Sequence, residues 1–287
     1  MKQITILSGK GGTGKTTITA SFAALSKNKV LADCDVDAPN LHLLLKPKVI
    51  EKQEFKGLKL AVIDETECIQ CGKCEESCRF DAIKEFQVDP ILCEGCAVCA
   101  YVCPVEAIEM MERISGYAFI SNTRYGLMAH ARLNPGEENS GKLVTLVRNN
   151  AKRIAEKKGL NLIINDGPPG IGCPVIASIS GIDLGLVIVE PTLSGIHDLE
   201  RAVGLLDHFQ VQALVCINKY DINMKNTLEI AEFCRSRNLE LVGKIPFDPV
   251  VTEAMAQGEP VVAYSPDSTA SKSITEVWKR VNTYLNL

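Results

Sequence analysis

Short apolar runs alternate along the chain with longer segments whose apolar residues recur every three or four positions. Ile4–Leu7, Val30–Ala32, Leu162–Ile164, Leu184–Val189 and Ala213–Ile217 have the length and the Val/Ile content of buried strands. Lys15–Leu25, Leu143–Lys158, Gly195–Phe209 and Ser273–Leu285 read as helices. In the last, Ile274, Val277, Trp278, Val281 and Leu285 fall on one face. Strands and helices in alternation predict an α/β fold with a doubly wound, mostly parallel sheet. Leu41–Leu45 is a short apolar element in which His42 reads as a packed histidine, and the rest of residues 41–60 is uninformative. Gly116–Ser121 is expected to be a strand. Residues 123–132 carry Arg124, His130 and Arg132, and residues 134–141 read as a loop.

Composition narrows the class. The 287 residues are 46% apolar with a net charge of −4, which suits a packed protein with no electrostatic face for nucleic acid. There is no apolar run of membrane-spanning length, and the chain enters a strand at once, so no membrane span and no export signal are expected. Lys279 and Arg280 alone give the last helix too little basic character for a membrane surface. The expected location is the cytoplasm. In a reducing compartment the 12 cysteines read as metal ligands rather than disulfides.

The first strand runs straight into Ser8-Gly9-Lys10-Gly11-Gly12-Thr13-Gly14-Lys15-Thr16-Thr17. Gly9, Gly14, Lys15 and Thr16 fit G-x-x-x-x-G-K-[ST]. Glycines let backbone N–H groups approach phosphate oxygens, and the helix that follows adds the positive end of its dipole. Residues 9–17 are therefore the expected phosphate cradle, with Lys15 on the terminal phosphates and Thr16 on Mg²⁺. Asp33, Asp35 and Asp37 alternate after the second apolar run. At the carboxyl end of a parallel strand such carboxylates hold Mg²⁺ or orient water. Asp37 reads equally well as an Asx-turn cap. A further buried strand ends in Asp166, also placed for Mg²⁺.

Cys68, Cys71, Cys74 and Cys78 form C-x₂-C-x₂-C-x₃-C, and Cys93, Cys96, Cys99 and Cys103 repeat it, with Pro104 following. This is the spacing of a two-cluster ferredoxin, in which the fourth cysteine of each run ligates the other cluster. One [4Fe–4S] cluster is assigned to Cys68, Cys71, Cys74 and Cys103, and the second to Cys93, Cys96, Cys99 and Cys78. Phe80-Asp81-Ala82-Ile83 answers Val105-Glu106-Ala107-Ile108, so the repeat extends beyond the cysteines. Zinc is the rival, but its sites usually pair two distant C-x₂-C units. Arg79 follows Cys78 where a ferredoxin run carries proline. An α+β ferredoxin-like insert is thus expected over residues 58–113, interrupting a nucleotide-binding domain over 1–57 and 114–287. Cys34, Cys216 and Cys234 have no partner spacing and read as structural.

The phosphate loop with its second lysine, Lys10, resembles the deviant Walker A motif of the MinD/ParA/Mrp/nitrogenase-iron-protein class of P-loop ATPases. The whole chain resembles members of that superfamily with an inserted ferredoxin domain. The resemblance implies ATP with Mg²⁺ bound in a sandwich dimer, either a homodimer or a heterodimer with a paralogous ATPase. Lys10 would reach across to the partner's nucleotide. It makes Asp35 the water-positioning residue and an Mg²⁺ ligand of switch I. Asp166-Gly167-Pro168-Pro169-Gly170 is similar to the family's switch II. Asn218 resembles the adenine-reading asparagine, and Pro246, Phe247 and Asp248 resemble a second base-side segment. Cys173 resembles in offset a cysteine that ligates a cluster shared across a dimer. The expected activity is slow ATP hydrolysis coupled to electron transfer toward a metalloprotein partner. A scaffold or carrier in Fe–S or metal-cofactor assembly is the alternative, and a positioning switch of the MinD/ParA type the third.

Overall fold

The computed structural model describes residues 1–137 and 140–287. In chain order its strands and helices are β1 (Lys2–Ser8), α1 (Lys15–Leu25), β2 (Lys29–Asp33), α2 (Leu41–Leu45), β3 (Lys48–Ile63), α3 (Lys73–Ser77), β4 (Ile83–Lys84), β5 (Gln87–Val88), α4 (Val98–Val102), β6 (Ile108–Thr123), β7 (Gly126–Leu133) and α5 (Ser140–Lys158). The chain continues through β8 (Leu162–Pro169), α6 (Cys173–Ile179), β9 (Leu184–Val189), α7 (Leu193–His208), β10 (Gln212–Asn218), α8 (Met224–Ser236), β11 (Glu240–Ile245), α9 (Val250–Gln257), α10 (Val261–Tyr264) and α11 (Thr269–Leu285). The large sheet has the order β11-β10-β9-β1-β8-β2-β7-β6-β3. The ladders joining β1, β2, β7, β8, β9, β10 and β11 are parallel.

Two compact units divide the chain. Met1–Lys52, Ala118–Ala131 and Ser140–Leu287 form the first, and Gln53–Tyr117 with Arg132–Asn139 the second. In the first, successive residues of β1 point to opposite faces and meet two different cores. Ile4 and Ile6 join Phe22 of α1 and Trp278 of α11, whose rings lie 4.7 Å apart. Leu7 faces Val175 of α6, Leu199 of α7 and Ile230 of α8. The β1 strand must therefore be apolar on both sides, which is why it reads as a continuous run.

The second unit is a duplication with an offset of 25 residues, visible in the backbone itself. Left-handed φ values recur in pairs at Gln70 and Gly95, Gly72 and Ala97, and Asp81 and Glu106. The α3 and α4 helices correspond, and Cys68 N–H to Asp64 O is answered by Cys93 N–H to Asp89 O. Asp64 N–H donates to Ala107 O, and Asp89 N–H to Ala82 O, so each repeat closes on the other. Its apolar core is small: Ala61, Ala82, Ile83 and Ile108 with Cys74, Cys93 and Cys99.

Three expectations need correction. The unit begins near residue 53 and extends to 117, and takes in the segment from Arg132, which widens the boundaries 58–113. The β3 strand spans residues that gave no signal, because it ends the sheet order and its Lys and Glu side chains are exposed on both faces. The expected strand at Gly116–Ser121 is the later part of β6, and the polar stretch before residue 134 contains a second strand, β7. Of the expected loop over residues 134–141, residues 138 and 139 lie outside the described residues.

Candidate functional site

The phosphate loop joins β1 to α1. Gly14 stands at the N-cap in the left-handed region (φ 89°), no side chain caps the helix, and no acid occupies its first turn. The leading N–H groups are thus available to an anion, backed by the helix dipole. A Cβ on Gly14 would lie 2.4 Å from Asn218 Nδ2, which itself donates to Thr13 O at 2.8 Å. Asn218, at the end of β10, is thereby packed under the loop. Gly11 and Gly12 are exposed and Thr17 half-buried, while Thr13 is buried with its hydroxyl unpartnered.

The register of the parallel strands gathers the acids. Asp33 of β2 lies opposite Asp166 of β8. Asp166 Oδ2 accepts from Thr16 Oγ1 at 2.7 Å and Oδ1 from Thr19 Oγ1 at 2.9 Å. Burial raises the Asp166 carboxyl above its ordinary range, against the pull of Lys15, Thr16 and Thr19. Asp33 is raised well above its own, first by burial and then by Asp166 and Asp35. Its Oδ1 accepts the Asp35 N–H at 3.2 Å, while Oδ2 is buried without a partner. The lysine and both hydroxyls favour the charged form of Asp166, and Asp33 has no such support. The sequence marked Asp33 only as one of an alternating trio. Its 1% exposure is what separates it from half-buried Asp35 and exposed Asp37.

Asp35 is pushed up to about 6 by burial, with Lys15 opposing and Asp166 adding to the rise. A carboxyl raised in the fold binds protons that the unfolded chain has released, so its charge weakens the fold as pH rises from about 4 to 6. Asp35→Asn is expected to raise the melting temperature of the ligand-free protein at pH 7 by roughly 2–4 °C. The gain should vanish below about pH 4, where both forms are neutral. A thermal melt at the two pH values checks this, and an equal gain at both would remove the buried charge as its cause.

Lys10 is held by its own chain. Its Nζ donates to Thr192 Oγ1 at 3.1 Å and Ser194 Oγ at 3.3 Å, and lies 3.9 Å from Glu190 Oε2. Glu190 also accepts from Lys219 Nζ at 2.6 Å. Nothing local to residue 10 announces these partners. Asp198 packs against the loop from α7, where a Cβ on Gly9 would lie 2.2 Å from its own.

The base-side segment behaves differently from expectation at Asp248. Its carboxylate accepts from Val250 N–H (3.1 Å), Thr269 Oγ1 (2.9 Å) and Ala270 N–H (3.2 Å), at the starts of α9 and α11. Burial raises this carboxyl, but those hydrogen bonds outweigh it and leave it below its ordinary range. These carboxylate oxygens are engaged in holding helices. Phe247 is exposed, with its N–H bonded to Asp221 Oδ1, and Pro246 is half-buried.

In the second unit the eight cysteines surround two cavities. The first is lined by Cys68, Cys71, Cys74 and Cys103, with Ile63 and Ile108 among its walls. The second is lined by Cys93, Cys96, Cys99 and Cys78, with Ala61 and Met110. Each takes three thiols from one repeat and the fourth from the other. Among the described residues no three or more His, Cys, Asp or Glu side chains form a group that could hold a single metal ion. Cys34 and Cys216 are fully buried, and burial pushes the Cys216 thiol up to about 12. Cys234 is pushed up to about 11 by the same cause, so all three are inert packing groups. Cys173 is exposed at the start of α6 as a free thiol.

A strand entering a glycine turn, a helix with an open N-terminus, a buried lysine and an acid held by helix hydroxyls define a P-loop nucleotide-binding protein. The chain belongs to the CobQ/CobB/MinD/ParA nucleotide-binding domain family, which matches residues 4–261. It is 38% identical to an uncharacterised protein of Methanocaldococcus jannaschii over 99% of this chain and 97% of that one. It is 24% identical to the septum site-determining protein MinD of Bacillus subtilis, covering 97% and 88% of the two chains. The fold is similar to that of MinD from Pyrococcus horikoshii in complex with Mg-ADP, with a TM-score of 0.58 at 18% identity over 98% and 96% of the chains. No helix among the described residues is long and apolar enough to cross a membrane.

Proposed function

We propose that the protein is an ATPase that couples Mg-ATP binding and hydrolysis, in a homodimer or in a heterodimer with a paralogue, to electron transfer through two [4Fe–4S] clusters. The observation that carries this reading is the pair of four-thiol cavities in a chain that also bears a phosphate loop. The donor sets fit the clusters: thiolates ring a space instead of converging on a point, and the crossed fourth cysteine is the ferredoxin arrangement. The unit then corresponds to an inserted ferredoxin-like domain, and its clusters, when bound, supply one-electron storage.

The protein's own residues supply the rest. The loop amides and Lys15 hold the phosphates, and Asn218 braces the loop from beneath. Thr16 and Asp166 would hold Mg²⁺, with Asp35 beside them to take the proton side of an attacking water. The hydroxyl bond between Thr16 and Asp166 keeps both donors aimed at one place. Lys10 must leave Glu190, Thr192 and Ser194 to serve a partner's nucleotide, so dimer formation competes with these contacts. Lys10→Ala is expected to bind ATP within about threefold of wild type while losing at least about 90% of turnover, as removal of a transition-state contact does. Phosphate release measured beside equilibrium ATP binding checks it, and full turnover would refute the role. The redox partner is a metalloprotein that accepts the electrons.

The decisive experiment is anaerobic EPR of the dithionite-reduced protein, with iron quantified, before and after adding a non-hydrolysable ATP analogue. About eight irons per chain and a spectrum that moves with the analogue support the reading. Clusters that ignore the nucleotide would favour a scaffold for cofactor assembly, and zinc in place of iron would remove the redox function.

A further inference from the structure

We infer that the largely shielded Arg113–Glu137 pair sets the reduction potential of one cluster, the one held by Cys93, Cys96, Cys99 and Cys78, and not that of its twin; this rests on the two-cluster reading above. Arg113 lies on β6, beyond the last residue of the repeat. Its guanidinium donates to the carbonyl oxygens of Pro90 and Cys93, the second at 3.5 Å. Glu137 approaches its Nε at 3.1 Å. The two side chains are 14% and 11% exposed, whereas the neighbouring pair Lys56–Glu112 is 55% and 61% exposed.

The duplication supplies an internal comparison. The counterpart of Cys93 is Cys68, and among the described residues no guanidinium reaches Cys68. Cys93 is buried and Cys68 half-buried. One cavity therefore has a shielded ion pair on the backbone of a ligand, and the other does not.

Reduction of a cubane by one electron adds one negative charge. A cation next to a ligand, poorly screened by water, favours that added charge, and an anion opposes it. Arg113 and Glu137 act through Cys93, so they are positioning residues. Because the pair is buried, removing one member leaves the other uncompensated. The two deletions must then act in opposite directions, which a merely structural role would not produce.

The test uses the full-length protein, reconstituted anaerobically with iron and sulfide, titrated with dithionite through redox mediators and followed by EPR. In Arg113→Gln the ratio of reduced to oxidised form of one cluster at a fixed potential should fall about tenfold, equivalent to ~59 mV for one electron. In Glu137→Gln the ratio for the same cluster should rise by a similar factor. The other cluster should not move, and Arg113→Lys should restore most of the wild-type position. Glu137→Gln is isosteric and keeps the question open should Arg113→Gln fail to fold. Shifts of the same sign in both variants, equal shifts in both clusters, or no shift would overturn the inference. Wild-type protein without about eight irons per chain would instead sink the two-cluster reading itself.

Discussion

Lys15→Ala is expected to lower ATP affinity at least about a hundredfold, leaving no binding at micromolar nucleotide. Lys15 is 6% exposed at the start of α1 and is the opposing charge for both Asp35 and Asp166. Its removal leaves buried carboxylates uncompensated next to the incoming phosphates. Breaking a buried pair in this way costs about 3–5 kcal/mol, equivalent to a factor of roughly 10²–10⁴ in affinity. Titration with a fluorescent ATP analogue, beside a thermal melt to show that the variant is folded, measures it. Affinity within about fivefold of wild type would mean that the loop amides and helix dipole hold the phosphates without the lysine.

On the two-cluster proposal, removing the irons is expected to unfold the second unit while leaving the first in place. The unit's core is seven residues, two alanines, two isoleucines and three cysteines. A chain segment of this size has too little apolar surface to offset its conformational entropy. Ligand binding in such metal-dependent units is itself the folding free energy, on the order of 10 kcal/mol. Hydrogen exchange before and after oxidative chelation should show amide protection over residues 53–117 falling at least about a thousandfold, while β1, β8 and α1 keep theirs. Protection that survives chelation would show that the duplicated backbone holds itself together.

What the sequence discloses depends on how far apart the cooperating residues lie. The phosphate loop and the two cysteine runs are local spacings, so their chemistry can be read directly. The crossed fourth cysteines need only the repeat to be recognised. The partners of Lys10 lie 180 or more residues away, in the turn after β9 and at the start of α7, and no pattern near Lys10 refers to them. The same holds for Arg113 and Glu137, which become a pair only when the chain returns to the second unit after β7. Strand β3 was hidden for another reason: an exposed edge is patterned by charge, so it lacks the period by which buried strands announce themselves. The hydrogen bonds of Asp248 to Thr269 and Ala270 were not legible either, since a short segment match says nothing of which helix a carboxylate meets.

The chain leaves the nucleotide-binding unit along β3 and comes back along β6, and these strands are neighbours in the sheet order. Exit and re-entry therefore lie on adjacent ladders, as the two stems of a hairpin do. A segment carried at the tip of such a strand pair can lengthen or shorten without any change in the order of the strands that carry the phosphate loop and the acids.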